Sequence, residues 1–229
     1  MGVGKTLAKS LVPAAVMIAP QVTAGFVREI LERAIDGFGP LSGAAEAAEK
    51  RLSEAHGDVD QAIHDLIEGH VRVAGAQGFA TNVGGFATLL VTMPANISGL
   101  AILQCRQVAG IAHLRGYDLD DRRVRNAVLA CLLGEDTLAA LVEKGSLPST
   151  PMAIATAAVH DPELDRQVAS LVTTELLARL TGRRMIIGFG RRTPLLGGGL
   201  GAVSDAFWTY RVGRYADREL LDRRPSHAR

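Results

Sequence analysis

The sequence predicts an all-α fold, a compact multi-helix bundle of about nine or ten helices around a buried central helix at 94–115. Three observations carry that expectation. Apolar residues recur at helical spacing in nearly every segment, with Gly, Pro and acidic caps between the runs. The chain is 48% hydrophobic but only 4% aromatic, so Ala, Val, Leu and the 25 glycines must fill a fine-grained core. The stretch 94–115 is apolar almost all round, which marks a helix surrounded by others. A length of 229 residues can bury such a core in one domain.

Taken in order, residues 1–21 are expected to lie outside the folded domain. Lys5 and Lys9 precede an apolar stretch that Pro13 and Pro20 interrupt, a poor match to a cleaved leader. A single helical domain at 22–222 follows. Its first helix, about 26–38, carries Val27, Ile30, Leu31, Ala34 and Ile35 on one face and stops at Gly37 and Gly39-Pro40. Ser42 caps a second helix that ends at His56-Gly57. Asp58 starts a third, with Val59, Ile63, Leu66 and Ile67 inward; Asp60, His64 and Glu68 line the opposite, solvated face rather than a metal site. Two helices at 79–92 and 94–115 are expected to meet at Pro94, a first-turn residue. Gly116 ends the second of them, and Asp118, Asp120 and Asp121 cap the next at 120–133. A short helix at 136–143 and a linker at 145–151 precede Asp161-Pro162-Glu163, which opens a helix to about Leu180. A C-terminal helix at about 200–221 packs beside the central one, and 223–229 forms a disordered tail.

Lys+Arg 25 against Asp+Glu 24 excludes a strongly basic nucleic-acid binder, but the balance is not local. No Asp or Glu occurs from Gly69 to Tyr117 or from Leu176 to Ser204. The second of these stretches holds Arg179, Arg183, Arg184, Arg191 and Arg192, a cluster suited to an anionic surface. On the central helix, Arg106 needs a carboxylate partner, because an unpaired buried guanidinium is costly. Asp205 is the expected partner, with Asn96, Gln104 and Gln107 completing a buried polar network or ligand site. Cys105 and Cys131 sit in apolar runs without metal-ligand spacing, so no metal and no cofactor is expected.

Several motifs resemble the EcsC family. Pro94-Ala95-Asn96, Gln104-Cys105-Arg106 and Ile111 to Asp121 resemble its central signature, and Arg191 to Gly199, Val203-Ser204-Asp205 and Val212 to Ala216 resemble its C-terminal part. The resemblance spans roughly 22–222 and implies a helical, membrane-associated protein of poorly defined biochemical role. Where relatives carry Asp after Pro-Ala this chain has Asn96, which removes one carboxylate and leaves Asp205.

Three functions follow as expectations. The first is a non-enzymatic protein that binds an anionic membrane or lipid, cytoplasmic or peripheral on the cytoplasmic membrane. The second is an enzyme acting on an apolar substrate in a helical cavity, with Arg106, Asp205 and His113 as candidate catalytic residues. The third is an adaptor for a membrane-protein partner such as a transporter. The sequence favours the first and points away from catalysis, since no Ser/His/Asp or Cys/His arrangement is apparent.

Overall fold

A computed structural model describes residues 25, 27–38, 41–83, 85–189 and 194–224, the backbone alone being described at 38, 41, 78–83, 85–98, 177, 180–189 and 194–201. Among the described residues the fold is all-α, with nine helices and one small β hairpin. Helix α1 (27–36) buries Val27, Ile30, Leu31, Ala34 and Ile35, the stripe expected from their spacing. Strands β1 (Gly37–Phe38) and β2 (Leu41–Ser42) then pair antiparallel, a two-residue hairpin that turns the chain into α2 (Ala44–Glu54).

Helices α3 (Val59–Val83), α4 (Gly85–Leu114) and α9 (Pro194–Glu219) form the central layer. Around it lie α2, which packs on α4, and the group α5 (Arg122–Cys131), α6 (Glu135–Glu143), α7 (Pro151–Ala155) and α8 (Pro162–Phe189). All nine helices contribute to one hydrophobic core. The described part of α4 is its centre: between Ala101 and Leu114 nearly every residue is buried.

Small residues set the register of the layer. Gly75 of α3 faces Ala202 and Ala206 of α9, whereas Ile67 meets Gly213, so α3 and α9 run antiparallel. Gly99 of α4 faces Gln77 and Gly110 faces Leu66, so α3 and α4 are antiparallel as well. Gln104 meets Thr209 and Gln107 meets Gly213, which makes α4 and α9 parallel.

Gly213 is the tightest of these crossings. A Cβ there would sit 2.6 Å from Gln107 Nε2, 2.9 Å from its Cδ and 3.0 Å from Ile67 Cγ1. Gly213→Ala is therefore expected to destabilise by about 1–2 kcal/mol, since overpacking outweighs the gain in helix propensity. Adding Gln107→Ala relieves the clash, so a double-mutant cycle in urea should show the pair losing less than the sum of the single changes.

The ends of the layer differ. Where α3 begins and α4 and α9 finish, Arg115 bridges Asp60 at 2.9 Å and Asp217 at 2.7 Å, and Asp217 also meets Arg214 at 3.1 Å. Gly116, at φ 84, turns the chain there, and the Arg223 N–H donates to the Arg115 carbonyl at 2.8 Å. Residues 223 and 224 are thus held by the fold; 225–229 and 1–21 lie outside the described residues.

Several boundaries differ from the expected ones. The expected boundary at Pro94 is not formed, and α4 continues from Gly85 as one helix past Pro94. A proline removes only one N–H from a helix that its neighbours hold in place. Likewise α8 reaches Phe189 and α9 starts at Pro194, so the glycine run 197–199 is helical and lies before the expected helix start at about 200. The expected linker ends in α7, whose Pro151, Ile154 and Ala155 are buried. No helix among the described residues is long and apolar enough to cross a membrane.

Candidate functional site

The buried polar residues of the central layer divide between two faces of α4. At 100° per residue, positions 104 and 106 lie 200° apart and cannot face the same neighbour. Gln104 takes the α9 side, where its Nε2–H donates to Thr209 Oγ1 at 3.3 Å. Gln107 lies on that side too, fully buried against Gly213, and Asp205 is buried on α9 one turn before Thr209. The side chain of Asn96 lies outside the described residues.

Arg106 takes the opposite side. Its Nη2–H donates to Ser42 Oγ at 2.8 Å; burial lowers its pKa, and the carboxylate of Glu46 offsets part of that. The expected Arg106–Asp205 pair is therefore not formed. One and two turns on, Gly110 packs against Ala44 and Ala48, and His113 Nε2 lies 2.7 Å from Glu49 Oε1. Arg106 thus binds β2, and Gly110 and His113 face α2, all away from Asp205 on α9, so the three residues named for catalysis do not converge.

His70, which the sequence reading passed over, lies close to Arg106. It is buried on α3, and its Nδ1–H donates to the Leu66 carbonyl at 2.8 Å. Burial lowers its pKa to about 4, and the nearby Arg106 and Arg51 charges push the same way. The ring is neutral at pH 7, fixed by a backbone hydrogen bond.

The arginine cluster also divides. Arg179 is not on an anionic-binding surface. Its Nη2–H groups donate to the carbonyls of Leu132 and Leu133 at 3.0 and 2.8 Å, and its Nε–H to Glu175 Oε1 at 2.8 Å. The guanidinium also lies over Trp208, 4.6 Å from the ring centroid. It binds the carbonyls of Leu132 and Leu133, the two residues just past the C-terminus of α5. The side chains of Arg183 and Arg184, and Arg191 and Arg192 altogether, lie outside the described residues.

On α9, Val203, Phe207 and Tyr210 recur at i, i+4 and i+7 and are 69%, 53% and 51% exposed. An apolar stripe this open on one helix face is available for contact. It leads into a groove of about 360 Å³ between α9 and the start of α6, bordered by Trp208, Arg211, Arg214 and Arg218. Arg211 meets Asp136 at 2.7 Å and Arg218 meets Glu135 at 2.5 Å across it. Arg211 also lies over Phe207 and Trp208, at 5.9 and 5.6 Å from their centroids.

A second polar cluster was not foreseen. Asp165, in the first turn of α8, accepts from Asn126 Nδ2 at 2.6 Å and faces His160 Nε2 at 2.8 Å. Arg28 and Arg122 approach its other oxygen at 3.9 and 3.8 Å beside a cavity of about 100 Å³. Its members come from α1, α5, α8 and the segment before α8, so no sequence spacing announces it.

Burial raises the pKa of both Cys105 and Cys131, which leaves neither as a thiolate near neutral pH. Among the described residues no group of three or more His, Cys, Asp or Glu could hold a metal ion. Asp60 turns to Arg115, while His64 pairs with Glu68 at 3.2 Å. Compared with known proteins, the chain matches no family model, no curated protein and no solved structure.

Proposed function

We propose that the protein binds anionic membrane surfaces peripherally, without catalysis, through the end of the α3–α4–α9 layer opposite the Asp60–Arg115–Asp217 bridge. One observation carries this reading. Because α3 runs antiparallel to α4 and α9, the end of α3, the start of α4 and the start of α9, all within the acid-free stretches 69–117 and 176–204, lie at the same end of the layer. Sequences that lie apart on the chain thereby contribute to one end depleted in negative charge, while the acids gather at the other.

An end without carboxylates does not repel anionic headgroups, and Arg183, Arg184, Arg191 and Arg192 belong to its sequence. Each basic residue near such a surface contributes about 1 kcal/mol, fading within a Debye length. Of the exposed apolar residues of α9, Val203 lies on the half nearer that end, and Phe207 and Tyr210 continue its stripe past the middle of the helix, adding apolar burial on contact. The motif resemblance to the EcsC family supports the same reading.

Sedimentation with phosphatidylcholine vesicles, with and without phosphatidylglycerol, tests it. Binding is expected only with phosphatidylglycerol present and should weaken as salt rises. The quadruple change Arg183→Gln, Arg184→Gln, Arg191→Gln and Arg192→Gln should lower the affinity at least about tenfold. Failure of the unaltered protein to bind either vesicle rejects the proposal. Trp208, the single tryptophan, provides an independent fluorescence readout beside the exposed stripe.

A further inference from the structure

We propose that the groove between α9 and the start of α6 is the headgroup site of an anionic phospholipid bearing a terminal phosphate, with Glu135 and Asp136 holding its arginines until the lipid arrives. This rests on the membrane reading and names the lipid class that one face of the protein selects.

The groove has the required chemistry. Arg211, Arg214 and Arg218 follow at i, i+3 and i+7 and border one space of about 360 Å³. The guanidinium fork matches phosphate oxygens two at a time. The partners of Arg211 and Arg218 are weak competitors, because Asp136 and Glu135 are 79% and 53% exposed and solvent screens both pairs, while Arg214 stays tied to Asp217. Displacing both acids removes two negative charges from the arginines. A phosphomonoester brings about −1.5 to −2 in one compact group and restores that balance, whereas a diester brings only one.

The groove also has the required surroundings. Tyr210 borders it and continues the exposed stripe of Phe207 and Val203 toward the acid-free end. Along a helix rising 1.5 Å per residue, Arg211 stands about 12 Å from Val203. Val203, Phe207 and Tyr210 thus offer an acyl chain an apolar surface beside the arginines that take the headgroup.

The test compares vesicles of phosphatidate and phosphatidylglycerol in phosphatidylcholine, matched in total surface charge. The unaltered protein should bind phosphatidate at least threefold tighter. Arg214→Gln with Arg218→Gln should abolish that preference while retaining phosphatidylglycerol binding, and matching urea midpoints will show that the variant is folded. Glu135→Gln with Asp136→Asn should strengthen phosphatidate binding severalfold, because the competing anions are gone. Equal binding to both lipids overturns this proposal alone, whereas no binding to either overturns the membrane reading itself. Glycerol phosphate in solution should not displace the protein at concentrations comparable to the lipid; if it does, the site serves a soluble phosphate and the lipid assignment fails.

Discussion

Arg179→Ala lowers the stability of the fold by about 3 kcal/mol, the range for breaking a largely buried charged pair. The guanidinium closes three hydrogen bonds, two of them to the carbonyls of Leu132 and Leu133 just past α5, and its side chain is only 12% exposed. Burial lowers its pKa and Glu175 offsets part of that, so the charge is held by its partners rather than by water. Removing it leaves Glu175 half-buried without its cation, leaves the Leu132 and Leu133 carbonyls without their donor, and takes the cation from the face of Trp208. Arg179→Lys keeps the charge but cannot reach two carbonyls and a carboxylate together, and should recover only part of the loss. Urea denaturation followed by circular dichroism measures both variants. Vesicle affinity of the folded fraction should stay unchanged, which separates Arg179 from Arg183, Arg184, Arg191 and Arg192. A stability equal to that of the unaltered protein would show that the α5 terminus needs no such closure.

Acid weakens the fold through His70. In the unfolded chain this imidazole takes up a proton near pH 6.5, but in the folded protein only near pH 4. The stability that depends on a neutral ring is complete above pH 6.5 and is lost as pH falls toward 4. That difference amounts to about 3 kcal/mol once both states are protonated. The cause is chiefly burial, reinforced by Arg106 and Arg51, while the bond to the Leu66 carbonyl opposes it. His70→Gln should therefore flatten the profile between pH 7 and pH 4, even if the substitution costs some packing at pH 7. Urea midpoints across this range decide the matter, and parallel profiles for the two proteins would exclude His70 as the titrating group.

The central helix was legible because a helix with no polar side has nowhere to go but the interior, and Ala101 to Leu114 are indeed surrounded. Two caps were legible too, Asp58 accepting from the Gln61 N–H at 3.0 Å and Asp121 from the Arg123 N–H at 2.8 Å. Ser42, by contrast, lies in β2, accepts from Arg106 and leaves the N-cap of α2 to Gly43. What periodicity does not supply is which neighbour each face of α4 meets. It did constrain the answer, since Gln104 and Arg106 point in opposite directions, so a single network joining both to Asp205 was never compatible with a helix. For Arg179 the missed signal was Glu175 one turn earlier, an i, i+4 partner that ties it to its own helix. The Asp165 cluster gathers three distant segments, around Arg28, Arg122–Asn126 and His160–Asp165, and left no such trace.

The parallel pairing of α4 with α9 also bears on how the chain reaches its fold. Gln104 and Thr209, which touch across that pair, are separated by 105 residues of chain. During synthesis at about 5–20 residues per second, the apolar face of α4 waits for several seconds before α9 emerges to cover it. Local helical hairpins form within microseconds, so the slow event is the arrival of the last helix rather than the formation of any single one. Truncation before α9 should leave a nascent chain that depends on chaperones, whereas loss of the residues after Arg224 should not.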